Sequence, residues 1–459
     1  MKKSIIKIMS GLALALTLPV LMTACSEVYE VYTDCPPPPE PIVTVCPADP
    51  ESQITVGDEE IGNGVDPSVA GEIVSDINQR LEEYDPDVLT QGYLDYSMEL
   101  FARSAEEGGN SMISPISVMM AMDMAASGAG GTTQSQITDV FCEGVTQAQI
   151  ENYCMELMER LEQSENVKLH IANSIWINDL IASAVKDDFL VRADHIFRAA
   201  AEVLPFDGAA VARINNWCDE NTYGMIPQVI DNIDPVTRLL LVNAIALDAL
   251  WADPYKDNQV RDGEFTNADG ETEEVSMMYG TENSYFETGD AVGFMKYYEG
   301  FDYAFLAILP DEGITVDEYV AGLTGDKYRE FWESRTREYD VHTAMPEFTY
   351  EYDITMNGIL RDMGITEAFD ENAADFTGIA EIAGENLYIS RVFHKTFIEV
   401  TQGGTRAAAV TVVTMDTNGM AMIEPEFKEV YLDRPFVYAI VEVETGMPLF
   451  IGTMQSVNG

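Results

Sequence analysis

The pattern of apolar and polar positions changes character twice along the chain. From Met9 to Met22 the sequence is an almost unbroken apolar run behind Lys2, Lys3 and Lys7. A cationic start and a short apolar stretch make a targeting signal, too short for a comfortable membrane span. Residues 26–84 then lose any period. Cys35-Pro36-Pro37-Pro38-Pro39-Glu40-Pro41 favours extended polyproline geometry, and Gly57-Asp58-Glu59-Glu60-Ile61-Gly62-Asn63-Gly64 is polar and glycine-rich. This stretch reads as an acidic tether over 25–84, behind a signal over 1–24.

From about Tyr84 the texture becomes dense. Tyr93, Tyr96, Leu100 and Phe101 recur at helical spacing, and Ser114-Pro115 opens a second, largely apolar helix within Met112–Met124. Leu169-His170-Ile171 with Ile175-Trp176-Ile177 reads as a buried strand, and Ile214 with Trp217 as a helix stopping near Gly224 and Pro227. Arg238–Leu250 is a long apolar run whose period fits a central strand or a buried helix. Tyr303–Leu309 reads as a buried strand stopped by Pro310, and Ile354–Met363 as an amphipathic helix ending at Gly364. The last third is strand-rich over Val392–Val400, Phe436–Val443 and Leu449–Met454. No repeat and no internal break divide residues 85–459, which read as one mixed α/β domain. No later stretch is long enough to cross a membrane.

Charge narrows the functional classes. Lys+Arg number 25 against 79 Asp+Glu, a net charge of −54, and loss of residues 1–24 would make it −57 because three lysines and no acids leave. Such a surface repels phosphate, so a protein that grips nucleic acid or anionic lipid by general electrostatics is excluded. With 4 His and 6 Cys, neither a disulfide-dense scaffold nor an ordinary zinc enzyme is expected, and no cofactor or metal site is implied. The histidines, His170, His195, His342 and His394, are scattered. The chain has no G-x-S-x-G elbow, H-E-x-x-H pair, phosphate-binding glycine loop or C-x-x-C pair. Leu21-Met22-Thr23-Ala24-Cys25 resembles a bacterial lipoprotein signal in which Cys25 becomes the lipidated first residue. A plain secretory signal with an incidental Cys25 is the alternative. Cys35 and Cys46, flanking the prolines, are candidates to pair in an oxidising compartment.

Several segments, in chain order, resemble the serpin family. Asn110-Ser-Met-Ile-Ser114-Pro115-Ile-Ser117 is similar to its N-x-x-x-S-P-x-S, and Ala172-Asn173-Ser174-Ile175-Trp176 to its A-N strand. Ile214-Asn215-Asn216-Trp217 with Thr222-Tyr223-Gly224-Met225-Ile226 resembles a helix end, and Leu241-Val242-Asn243-Ala244-Ile245 with Trp251-Ala-Asp-Pro254-Tyr255 its L-V-N-A-I strand. Met345-Pro346-Glu347-Phe348, Leu360–Phe369, Phe393-His394-Lys395, Asp433-Arg434-Pro435-Phe436 and Leu449-Phe450-Ile451-Gly452 continue the series to the C-terminus. The resemblance covers about Tyr84 to Gly459. It implies an α+β single domain with three β-sheets, eight or nine helices and an exposed reactive-centre loop, here about 401–426. It also implies inhibition of a protease by suicide trapping. The cut loop inserts into the large sheet as a new strand and carries off the acyl-linked enzyme.

The loop's own chemistry suits insertion. Gly403 and Gly404 form a hinge free to change φ and ψ. Beyond it, Thr405, Ala407 and Ala409 alternate with Arg406 and Ala408; the first set would face inward and contains no charge or ring. No proline interrupts residues 401–424. About fourteen residues at ~3.3 Å each would move the cut end by roughly 45 Å. The family's hinge carries Glu where Arg406 stands, on the side that should face solvent. Counting fourteen residues beyond Gly404 places the reactive bond at Asn418–Gly419. Met415, Met420 and Val413 are alternatives with side chains suited to chymotrypsin- or elastase-like pockets. No Lys or Arg lies between Ala407 and Phe427, which disfavours a trypsin-like target. A subtilisin-type or cysteine protease is also compatible.

By resemblance, Ser114, Ser117, Asn243 and His394 form the buried polar cluster where the large sheet opens, and Trp251 lies beneath the point where the loop enters. Ser114 with His394 is not a catalytic dyad, since no acid or oxyanion motif accompanies it. The expectation is a monomeric, exported, metal-free inhibitor, not an enzyme. Its partners would be a target protease, held covalently, and a membrane through lipidated Cys25. A non-inhibitory surface binding protein on the same fold is the alternative, and a hydrolase with an unrecognised site a third.

Overall fold

Leu239–Leu250 shows why its period was ambiguous. Leu240, Val242, Ala244 and Ala246 pack into one apolar cluster, while Leu239, Leu241, Ile245, Leu247 and Ala249 pack into another on the opposite face. A strand buried on both faces shows no alternation. In a computed structural model of the chain, which describes residues 65–162, 167–234, 237–405 and 426–458, this strand is the spine of the central sheet. All described residues fall within one unit, Val56–Gly459.

The central sheet contains β1 (Val167–Asn178), β2 (Ala200–Leu204), β3 (Leu239–Leu250), β4 (Phe348–Thr355), β5 (Val392–Thr401) and β6 (Gly404–Thr405), in the order β4-β5-β6-β3-β1-β2. A second, six-stranded antiparallel sheet runs Ser111–Ile113, Pro448–Met454, Phe436–Glu442, Tyr303–Pro310, Ala291–Tyr297, Tyr285–Glu287. A third, four-stranded sheet runs Phe427–Tyr431, Asp340–Pro346, Thr272–Glu282, Val260–Thr266. Its first pair is parallel.

The described residues contain ten α-helices: α1 (Pro67–Arg80), α2 (Pro86–Ser104), α3 (Pro115–Ser127), α4 (Gly131–Phe141), α5 (Gln147–Glu162), α6 (Asp187–Phe197), α7 (Gly208–Asn221), α8 (Val316–Ala321), α9 (Gly325–Glu333) and α10 (Asn357–Asp362). Pro115 occupies the first turn of α3, where its missing N–H has no partner to lose. Every residue from Pro115 to Ala126 is buried, so α3 is a core helix rather than an amphipathic one. Ile214 and Trp217 of α7 pack with Trp176 and Leu240 on the other face of the central sheet.

The ten α-helices exceed the eight or nine that the resemblance implies, and two further features differ from the sequence reading. The first is α1, which lies inside the stretch read as tether. Asp66 caps it, Pro67 starts it, and Ala70 and Ile77 are buried. His195 of α6 meets Asn78 at 2.9 Å. After α1 the chain runs along α5, whose Gln149 and Asn152 amides donate to the Glu83 and Glu82 carbonyls. The second is α10, which is shorter than Ile354–Met363, because Tyr350, Tyr352 and Ile354 belong to β4 and pair with β5.

Candidate functional site: the loop hinge and the sheet latch

β5 and β3 pair directly, in parallel, from Val392 opposite Leu241 to Thr396 opposite Ile245. Above these pairs the strands part and β6 lies between them, antiparallel to both. Thr405 is opposite Val400 and Ala249, and Gly404 opposite Thr401 and Leu250. The chain leaves β5, turns at Gln402-Gly403 and re-enters the sheet as a two-residue wedge. Glycine is required at 404 by close approach, since a Cβ there would lie 2.1 Å from the Ala249 carbonyl oxygen and 2.8 Å from Leu250 Cα. Thr405 is buried, and its hydroxyl shares a hydrogen bond with that of Tyr298.

The hinge is gripped through its carbonyls. Trp251 donates its indole N–H to the Thr401 carbonyl at 2.9 Å and its backbone N–H to the Gly403 carbonyl at 3.0 Å. The Tyr255 N–H donates to the Gln402 carbonyl at 2.9 Å. The Gln402 N–H in turn donates to the Glu347 carboxylate at 3.0 Å. Trp251 is fully buried and stacks on Tyr298 with centroids 4.6 Å apart and planes 8° from parallel.

Lower down, a polar row crosses the sheet on the face toward α3. His394 of β5 is opposite Asn243 of β3, which is opposite Asn173 of β1. All three are buried, as are Ser114 and Ser117 of the α3 start. The Ser114 backbone N–H donates to His394 Nε2 at 3.0 Å, and the Asn173 amide donates to the Phe197 carbonyl at 3.1 Å. Asn243 donates to the Asn173 side-chain oxygen, and the Thr396 hydroxyl to the Met112 carbonyl. The hydroxyls of Ser114 and Ser117, Asn243 Oδ1 and His394 Nδ1 find no protein partner. Burial lowers the His394 pKa to about 3, which keeps the ring neutral. Because the Ser114 contact is through its backbone, its hydroxyl has no base beside it.

The structure therefore brings Ser114, Asn243 and His394 together, with Ser117 buried in the same helix start, and ties Trp251 to Thr401 and Gly403 just before Gly404 and Thr405. Asn173, Tyr255 and Tyr298 are not among the site residues expected from sequence; the polar Asn173-Ser174 pair in the middle of β1 is the available signal. Arg406, Ala407, Ala408, Ala409, Val413, Met415, Asn418, Gly419, Met420 and Cys25 lie outside the described residues, as do Cys35 and Cys46. Cys142, Cys154 and Cys218 are unpaired and buried. Among the described residues no cluster of His, Cys, Asp or Glu is arranged to hold a metal ion, and no helix is long and apolar enough to cross a membrane.

Residues 91–457 match the family model "Serpin (serine protease inhibitor)". An uncharacterized serpin-like protein of Thermococcus kodakarensis is 31% identical, covering 79% of this chain and 84% of its own. The leukocyte elastase inhibitor A of Mus musculus is 28% identical, covering 79% and 97% respectively. Among solved structures, the thermophilic serpin tengpin in its native state superposes with a TM-score of 0.76 at 38% identity, over 82% of this chain and 96% of that one.

Proposed function

Since the chain belongs to the serpin family, whose members are in general protease inhibitors, we propose that it inhibits its target by suicide trapping. The observation that carries this reading is the wedge. The hinge already starts a strand at the top of the central sheet, while the lower half stays closed. Insertion needs only to continue downward from Thr405.

In the proposed sequence the protease nucleophile attacks the carbonyl of the bait residue, Asn418 or one of Val413, Met415 and Met420. The peptide C–N bond breaks, the new amine leaves with a proton, and an ester or thioester joins the protease to the loop. The freed segment then zips between β5 and β3, separating His394 from Asn243 as it passes. The loop's Ala, Thr and Val side chains fit a strand that must pack on one face. The missing cation in the loop favours elastase-, chymotrypsin- or subtilisin-type serine proteases or a cysteine protease. A relative named for leukocyte elastase agrees with that class. Lipidation at Cys25 would hold the inhibitor at a membrane of the cell envelope.

Incubation with elastase, chymotrypsin and subtilisin tests the reading. A covalent complex that survives SDS is expected with at least one of them, and the mass of the released C-terminal fragment identifies the bait bond. Clean loop cleavage by all three without a complex would replace inhibition with the non-inhibitory binding role.

A further inference from the structure

Two of the residues that grip the hinge, Trp251 and Tyr255, share one neighbour. Lys296 stands in the run Val292-Gly293-Phe294-Met295-Lys296-Tyr297-Tyr298, the only cation in an otherwise uncharged stretch. It is 3% exposed. Its Nζ lies 2.9 Å from the Glu282 carboxylate and 3.0 Å from the Asp253 carbonyl oxygen. The same ammonium sits 4.2 Å from the Tyr255 ring centroid and 5.6 Å from that of Trp251. Tyr298, two residues further on, completes the stack on Trp251. The hinge Thr401–Thr405 carries no charge, so no ion pair ties it down. Its side-chain and loop contacts come instead from Trp251 and Tyr255, whose rings lie beside this one cation, from Tyr298, which stacks on Trp251, and from Glu347 and Asp257.

We infer that Lys296 is a positioning residue for loop insertion: tied to Glu282 and the Asp253 carbonyl, its ammonium fixes Trp251 and Tyr255, and through Trp251 the stacked Tyr298, in the arrangement that grips residues 401–405. A lysine held over aromatic faces in a dry site is attracted by both rings at once. Glu282 ends a strand of the third sheet and Lys296 belongs to the second, so the clamp on the central sheet is braced from the other two. This assignment rests on the proposed inhibition for its meaning but not for its test.

A buried ion pair with no special role is often replaceable by apolar groups at little cost, so stability alone is a poor readout. Hydrogen exchange is a selective one. In Lys296→Met, the amides of Trp251, Tyr255 and Gln402 should exchange at least tenfold faster than in the wild type, while those of α3 keep their rate. Glu282→Gln should give the same ordering with a smaller effect, and it serves if Lys296→Met fails to fold. Arg192→Met breaks the equally buried Arg192–Glu151 pair and should leave the hinge amides unchanged. Wild-type hinge exchange in Glu282→Gln or in a folded Lys296→Met, or equal release of the hinge in Arg192→Met, overturns the assignment. Complex formation by the wild-type chain is scored separately. Its absence removes the inhibitory function and leaves the exchange comparison to judge Lys296.

Discussion

At His394 a single ring decides how the sheet responds to acid. Its folded pKa is near 3, against an ordinary value of 6.5, because burial disfavours the cation. Between those values the unfolded or opened chain binds the proton and the native one does not. Stability should therefore fall as pH drops from about 6.5 toward 3, by up to ~1.4 kcal/mol per pH unit from this group. Asp123, also buried, has its pKa raised by burial and acts in the opposite sense, losing stability as pH rises. Comparing the wild type with His394→Gln by urea unfolding at several pH values isolates the histidine. A wild-type curve parallel to that of the variant would refute its role. Gly404 gives a second test. Gly404→Ala should expel the wedge, because its methyl meets the Ala249 carbonyl, and more inhibitor should then be cleaved per complex formed. A several-fold rise in the stoichiometry of inhibition is the expected result.

Among the elements, legibility followed burial geometry. Tyr303–Pro310 was readable as a strand because it is short and stopped by proline, whereas β3 was undecidable because both its faces are covered. Helix α10 was overextended because Ile354, Ile359, Leu360 and Met363 mimic a helical stripe, while the alternation of Tyr350, Tyr352 and Ile354 belongs to β4. The hinge glycines were legible from composition, but the close approach at Gly404 depends on a strand more than 150 residues away in sequence. The same holds for Lys296, whose partners Glu282 and Asp253 are brought to it by the fold. Helix α1 was hidden by its glycine- and acid-rich surroundings. Truncation at residue 81 should destabilise the body by roughly 3 kcal/mol or more, since Val65, Ala70 and Ile77 leave the core with it. Truncation at residue 63 spares all three, and thermal unfolding of the two chains measures the difference.

For the whole molecule the dominant quantity is net charge, to which the proposed trap would add stored free energy. A net charge of −54 is self-repelling, and the ion pairs of the described residues consume few of the 79 acids. The melting temperature should rise with NaCl, most steeply up to about 0.15 M, where the screening length falls to roughly 8 Å. A flat salt series would show that the charges are already well dispersed. Nicking the loop should raise the melting temperature sharply, because β3 and β5 would then hold a full strand between them rather than two residues. An unchanged transition after nicking would mean that the sheet gains nothing by opening.

The three sealed thiols carry a consequence of their own. Burial raises the pKa of Cys142 and Cys154 and pushes Cys218 up to about 12, so none supplies thiolate at neutral pH. A chain sent into an oxidising compartment would thus pass through it without cross-linking at these positions while its body holds. Any mixed disulfide found there would be a chemical record of molecules that had come apart.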